Sequence, residues 1–241
     1  MIIDKFRLSA HRGATIVAPE NTIESINEAI TLNYGAIEID PRISRDGEIF
    51  LMHDDTVDRT SNGSGYIADM TSNEIMSLEI KSDDYPKYTN QVLRIPTFEE
   101  AIRAISNSDV IVNLDGSKVD WSNLEFTNQV ISILKKYSLY DQTFFVISNS
   151  LQRSVFNDRY PDAILSWLHN DANSISTAIN NVKNYNGALL SIPLSVATDA
   201  VLLQLKKSGI YFQVYGVNST LDLDRLKVMG VPMAETDKLA P

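Results

Sequence analysis

Residues 143–168 read TFFVISNSLQRSVFNDRYPDAILSWL. Thr143 to Ile147 reads as a strand, Leu151 to Tyr160 as a helix and Ile164 to Leu168 as the next strand. Strands that alternate with helices of this length imply parallel pairing, because a parallel neighbour can be reached only through a crossover. The question is then how far the unit repeats in each direction.

Downstream it continues with a helix from Ser174 to Asn184, a strand from Ala188 to Ile192 and a helix from Asp199 to Lys207 closed by Gly209. A strand from Tyr211 to Val217, a helix from Leu221 to Met229 before Gly230, and a strand from Val231 to Ala234 complete that side. Upstream lie a helix from Asn123 to Tyr137, a buried-type strand from Val110 to Leu114, and a helix that Thr97-Phe98-Glu99-Glu100 opens with a capping box. Ala36 to Pro41 is the second strand, and Phe6 to Ala10 the first. Between these two, Asn21-Thr22-Ile23-Glu24 has the spacing of another capping box, with Ile23, Ile26 and Ile30 recurring at helical intervals.

Eight strand starts, each followed by a helix except the last, predict a (β/α)8 TIM barrel. One domain over residues 1–241 is expected, with a small insertion at about 55–96 between the second and third barrel strands. Within that insertion Thr71-Ser72-Asn73-Glu74 starts a short helix, and a connection so long is usually functional. An open doubly wound sheet would want a glycine-rich phosphate loop after the first strand, and only Gly13 is there. The missing eighth helix raises the expectation that the chain is cut from a longer polypeptide.

Composition narrows the chemistry. A hydrophobic content of 44% fits a packed globular protein and excludes a disordered one. The net charge of −10 argues against nucleic acid as the main ligand and against anionic membranes, so an anionic substrate needs a local positive site. With no cysteine there are no disulfides, thiol nucleophiles or thiolate metal sites. Met1-Ile2-Ile3-Asp4 is too short and too soon charged for a signal peptide, and no run approaches transmembrane length. The expected state is soluble, either cytoplasmic or as part of a larger extracellular protein.

The chemistry-bearing residues crowd into His11 to Asp54. They are His11-Arg12-Gly13, Pro19-Glu20-Asn21-Thr22, Glu38-Ile39-Asp40 and His53-Asp54, the last delivered by the apolar run Ile49 to Met52 after an Asp46-Gly47 turn. Period-2 geometry puts Glu38 and Asp40 on one face of their strand, where two acids repel unless a cation neutralises them. With Asp115 they form an oxygen-only ligand set of the kind magnesium or calcium prefers. Arg12 can bind a phosphate oxygen through charge-assisted hydrogen bonds, and His11 and His53 suit proton transfer near neutral pH. His169 follows the fifth strand without a motif and reads as a loop residue. Asn21 reads either as a helix cap or as a hydrogen-bonding support for the His11 loop.

This order of clusters resembles the glycerophosphodiester phosphodiesterase family, whose pattern is HR-G, PENT, E-x-D and a D-G hairpin leading into HD. The resemblance implies metal-dependent hydrolysis of glycerophosphodiesters to glycerol 3-phosphate and an alcohol, with the two histidines as acid and base and the insertion helping to cover the substrate. Further along it loosens. Where the family has E-x-K, this chain has Asp115-Gly116-Ser117, with Lys118 one position late as the expected phosphate-binding lysine. Where the family has W-T-V-N, this chain has Tyr215-Gly216-Val217-Asn218, so Tyr215 is expected to form the aromatic wall against the substrate. The family's T-D-x-P survives as Thr236-Asp237 with the proline displaced to Pro241. These departures leave two alternatives beside a small diester: cleavage of a glycerol-phosphate polymer, such as a teichoic-acid-like or capsular one, by the same chemistry, and a non-catalytic barrel that binds glycerophosphate groups.

Overall fold

In a computed structural model, residues 5–241 are described; residues 1–4, read above for a signal segment, lie outside the described residues. In chain order the strands are β1 (Arg7–Ala10), β2 (Ala36–Ile39), β3 (Pro41–Ile43), β4 (Ile49–Leu51), β5 (Ile111–Asp115), β6 (Thr143–Val146), β7 (Ile164–Leu168), β8 (Leu189–Pro193), β9 (Tyr211–Tyr215) and β10 (Met233–Thr236). All except β3 and β4 close into a parallel barrel in sequence order. Closure is made by β10 lying along β1, from Arg7 opposite Met233 to Ala10 opposite Thr236.

The helices are α1 (Ile23–Thr31), α2 (Ser72–Ser77), α3 (Phe98–Ile105), α4 (Leu124–Lys136), α5 (Ser150–Arg159), α6 (Ile175–Val182), α7 (Asp199–Ser208) and α8 (Thr220–Met229). Alternate strand residues such as Ile37, Val112, Leu165, Leu190 and Val214 share one core with α1 and the helices from α3 onward. The residues between them point into the barrel. Ala36, Ile111, Phe144, Ile164, Leu189 and Met233 fill its N-terminal end as a separate apolar cluster. Two positions further along most of these strands the inward residues turn polar: Glu38, Asn113, Ser166, Ser191 and Glu235 are all buried.

Three expectations are corrected. The second strand does not run from Ala36 to Pro41. It leaves the barrel after Ile39, because Pro41 has no N–H to continue the ladder and instead starts β3, which pairs antiparallel with β4. His53, expected like the other site residues at the C-terminal end of a barrel strand, therefore follows a hairpin strand outside the barrel. The capping box of α1 sits one residue later than the sequence suggested: Thr22 Oγ1 accepts from Ser25 N at 3.0 Å and Ser25 Oγ accepts from Thr22 N at 3.2 Å. The box at Thr97/Glu100 forms where it was read, and the short helix expected from Thr71 is there with a capping box of its own at Thr71/Glu74.

The long connection from β4 to α3 has its own small core, in which Val57, Ile67, Ile75 and Ile80 pack on Phe50 and Met52. Among the described residues no helix follows β10. The tail is held by the Tyr34 hydroxyl, which donates to Leu239 O at 2.5 Å. No helix among the described residues is long and apolar enough to cross a membrane.

Candidate active site

The chain turns sharply at the end of β1. Arg12 has φ 58° and Gly13 φ 83°, and a Cβ on Gly13 would lie 2.2 Å from Ser25 Oγ, so only glycine lets this turn rest on the start of α1. Ser25 Oγ lies 3.1 Å from Arg12 O, to which it donates. The turn aims the Arg12 amide at the next strand, where it donates to Glu38 Oε2 at 2.7 Å.

Glu38, Asp40 and Asp115 each bring one oxygen into a group whose members lie within 4.8 Å of one another. Burial pushes the Glu38 carboxyl well above its usual range, and the charge of Asp40 adds to this. Burial and the charge of Asp115 raise Asp40 in the same way. Glu38 Oε1 and Asp40 Oδ1 are buried without any hydrogen-bond donor. Acceptors that burial strips of water and leaves unpaired are costly, and converging acid oxygens of this kind fit a hard divalent cation. The donor set could therefore hold a metal ion.

Two side chains shape that cluster. Asn21, with φ 53°, is not the helix cap; its Nδ2 donates to Asp40 Oδ2 at 2.8 Å and its Oδ1 accepts from Asp40 N at 3.2 Å. Its own amide donates to Arg12 O at 2.9 Å, so one asparagine braces both the acid and the His11 turn. Asp115 ends β5, where its Oδ1 accepts from Ser117 N at 2.9 Å. Gly116 follows because Trp121 is packed there: a Cβ would lie 2.2 Å from the indole, whose Nε1 donates to Gly116 O at 2.8 Å.

Each site histidine has its Nδ1 on a carboxylate. His11 Nδ1–H donates to Asp237 Oδ1 at 2.5 Å, and Asn218 Nδ2 holds the other oxygen of Asp237 at 2.8 Å. His11 Nε2 is left facing Glu38, 4.0 Å from Oε2. Burial alone would lower the His11 pKa, but the Asp237 hydrogen bond and the charge of Glu235 outweigh it, and the ring sits above its ordinary value. His53 Nδ1–H donates to Asp54 Oδ1 at 2.7 Å. Its carbonyl accepts from Arg42 Nη2 at 2.6 Å and from Lys118 Nζ at 3.2 Å.

Positive charge rings the acids. Arg12 Nη1 donates to Glu20 Oε1 at 3.0 Å, and its Nε lies 3.6 Å from Asp40 Oδ2. Lys118 Nζ is 3.8 Å from Asp40 Oδ1, so the lysine displaced by one position in the sequence still arrives beside the acids. Tyr215, at the end of β9, lines a cavity of about 110 Å³ together with His11, Glu38 and Asp115, and its hydroxyl donates to Asn170 Oδ1 at 2.8 Å. His169 is in a loop, where its ring N–H donates to Asp171 O at 2.7 Å.

The sequence reading assigned no role to four residues that shape this mouth. Asp237 and Asp54 orient the rings, and their adjacency to Thr236 and His53 in matched motifs was the available signal. Arg42 anchors the His53 backbone from β3, and no motif in the sequence marks it. Glu235 is buried beneath His11, with Oε2 accepting from Asn113 Nδ2 at 2.7 Å, and burial pushes its pKa up to about 7. Its inward direction follows from alternation with Met233.

Comparison with known proteins agrees with this geometry. The model of the glycerophosphoryl diester phosphodiesterase family matches residues 11–240. The Bacillus subtilis protein YhdW, provisionally named a glycerophosphodiester phosphodiesterase, is 30% identical over 237 residues, spanning 95% of this chain and 93% of its own. A second Bacillus subtilis protein, a glycerophosphodiester phosphodiesterase, is 27% identical over 244 residues, covering 95% of this chain and 82% of its own. A phosphodiesterase of Oleispira antarctica, solved in complex with the product sn-glycerol-3-phosphate, superposes with a TM-score of 0.84 at 24% identity, over 96% of this chain and 92% of its own, a likeness of fold.

Proposed function

This chain belongs to the glycerophosphoryl diester phosphodiesterase family, whose members are phosphoric diester hydrolases, and from that premise we propose that it hydrolyses small glycerophosphodiesters to glycerol 3-phosphate and an alcohol. The observation that carries the reading is the pairing of two carboxylate-oriented histidines with three converging acids, two of them buried, at one barrel mouth.

Glu38, Asp40 and Asp115 would hold magnesium or calcium, which when bound would offset their mutual repulsion and make phosphorus more electrophilic. Arg12 and Lys118 add the positive charge that a phosphodiester needs to enter a chain of net charge −10. With Nδ1 of each ring committed to Asp237 or Asp54, the free Nε2 atoms handle the protons. One takes the proton of the attacking glycerol hydroxyl and the other returns a proton to the departing alcohol oxygen; water then opens the cyclic phosphodiester so formed, with the two rings exchanging roles, to give glycerol 3-phosphate. Tyr215 walls the cavity on the β9 side, and Asn21 keeps Asp40 turned toward the ligand set.

The polymer alternative rested partly on the displaced lysine, and the position of Lys118 beside Asp40 removes that reason. Both oriented histidines speak against a barrel that only binds. The test is hydrolysis of glycerophosphocholine with added calcium or magnesium, before and after chelation. Chelation is expected to abolish turnover and restoration of the metal to recover it; full activity in excess chelator would sink the metal assignment. Comparing kcat/KM for glycerophosphocholine and a glycerol-phosphate polymer decides the substrate, the small diester being expected to win.

A further inference from the structure

One side chain of the long connection after β4 joins the two halves of the site. Arg59 Nε donates to Asp54 Oδ2 at 2.6 Å, while Nη1 and Nη2 fork onto Glu20 Oε2 and Oε1, each at 2.7 Å. Asp54 uses its other oxygen for His53, and Glu20 Oε1 also accepts from Arg12 Nη1. A continuous chain of charge-assisted hydrogen bonds therefore runs from His53 through Asp54, Arg59 and Glu20 to Arg12.

We propose that Arg59 is a positioning residue for phosphodiester hydrolysis: it fixes Asp54 so that His53 keeps Nε2 toward the substrate, and through Glu20 it sets the Arg12 guanidinium on the opposite side. The proposal rests on the hydrolase reading above and deepens it. His53 lies on a hairpin outside the barrel and Arg12 on the turn after β1, so no strand pairing ties the two together. Arg59 supplies that tie.

The geometry is one that arginine makes and lysine does not. A planar guanidinium can place two parallel N–H groups on one carboxylate and still present Nε to another, whereas an ammonium is a point charge on a flexible stem. Arg59 is about half exposed, with side-chain accessibility of 47%, while Glu20 and Asp54 are more covered at 20% and 29%, so the fork adds modestly to stability. The effect is therefore expected chiefly in the rate, with only a small fall in the melting temperature. A small misplacement of a group that acts in the transition state lowers turnover far more than it lowers ground-state affinity.

The experiment uses the full chain with glycerophosphocholine and calcium or magnesium, comparing Arg59→Ala and Arg59→Lys with the wild type. Both variants are expected to lose about 10- to 100-fold in kcat, with Tm little changed and a smaller rise in KM from the loosened Arg12. Lysine is not expected to rescue, and added methylguanidinium is expected to recover part of the Arg59→Ala loss. In ¹⁵N spectra of the histidine rings, the Nδ1–H form of His53 should be well defined in the wild type and averaged in Arg59→Ala. Wild-type kcat in Arg59→Ala would overturn the proposal. So would a loss that lies wholly in KM, or one that follows a fall in Tm, since a merely structural strut would produce those. If the wild type itself hydrolyses no glycerophosphodiester, the hydrolase reading fails, and the ring spectra alone decide the positioning role: an unchanged His53 signal refutes it, and an averaged one supports it.

Discussion

The two ends of the barrel interior are built on the same strand alternation and filled with opposite chemistry. On β2, β5 and β10 the inward residue near the N-terminal end is Ala36, Ile111 or Met233, and two positions later it is Glu38, Asn113 or Glu235. The lower layer is an apolar plug whose burial stabilises the fold. The upper layers gather acids in a place that raises their pKa values, and this opposes folding unless a ligand offsets it. Stability and chemistry are thus separated along the barrel axis, as expected where catalytic groups sit at the C-terminal ends of strands.

The largest effect should come from the upper end alone. His11→Ala and His53→Ala should each lower kcat/KM by about 10²- to 10⁴-fold, with Tm nearly unchanged because neither ring belongs to the apolar plug. If both act on protons in one transition state, the double variant should lose far less than the product of the single losses. Wild-type turnover in either single variant would end the acid–base assignment.

The converse change tests the lower end. Phe144 is fully buried in the plug, and Phe144→Ala should cost about 3–5 kcal/mol in denaturant unfolding. Activity per folded molecule should be kept, since the cavity opens away from the acids. A variant that is stable but inactive would show that the two ends are coupled and break the comparison.

How much of this separation could be read from the sequence depended on range. The alternation from Thr143 to Leu168 shows the barrel because strand and helix periods are local, and His11 to Asp54 shows the mouth because its clusters lie within one stretch. The contacts that orient the mouth are not local. Asp237 reaches His11 only because closure lays the last strand on the first, a separation of 226 residues. Glu235 reaches Asn113 across 122. The one-residue shift of the α1 cap has a different cause: Asn21 takes a left-handed conformation to reach Asp40, so the helix begins one residue later. Such a conformation is open to asparagine but is not announced by it.

A third prediction concerns pH. The folded-state pKa of Glu235 lies near 7 against an ordinary 4.5, with Glu38 and Asp40 raised in the same direction. As pH rises the unfolded chain releases these protons first. The stability these three groups contribute should therefore be full below about 4.5 and be lost as pH rises toward 7, by on the order of 3 kcal/mol for Glu235 alone. Tm measured in chelator across that window should drop, Glu235→Gln should flatten part of the slope, and calcium or magnesium should remove the part owed to Glu38 and Asp40. A flat profile in chelator would mean that the upper layer is not the burden its burial implies.

The smallest effect isolates the brace between the two ends of the His11 turn. Asn21 makes two hydrogen bonds to Asp40 with its side chain and one to Arg12 O with its backbone, from a φ of 53°. Asn21→Gly removes the side-chain bonds but keeps the backbone conformation free of strain, whereas Asn21→Ala removes the same bonds and adds the left-handed penalty of about 1–2 kcal/mol. The glycine variant should lose about 1–2 kcal/mol of stability and bind the proposed cation about 10-fold more weakly, because Asp40 is then free to turn away from Glu38 and Asp115. The alanine variant should show the same loss of cation affinity with a larger loss of stability. Calorimetric titration with calcium and unfolding in chelator separate the two quantities. If Asn21→Gly binds the cation as tightly as the wild type, Asp40 is held by its burial alone, and the asparagine serves the turn rather than the acids.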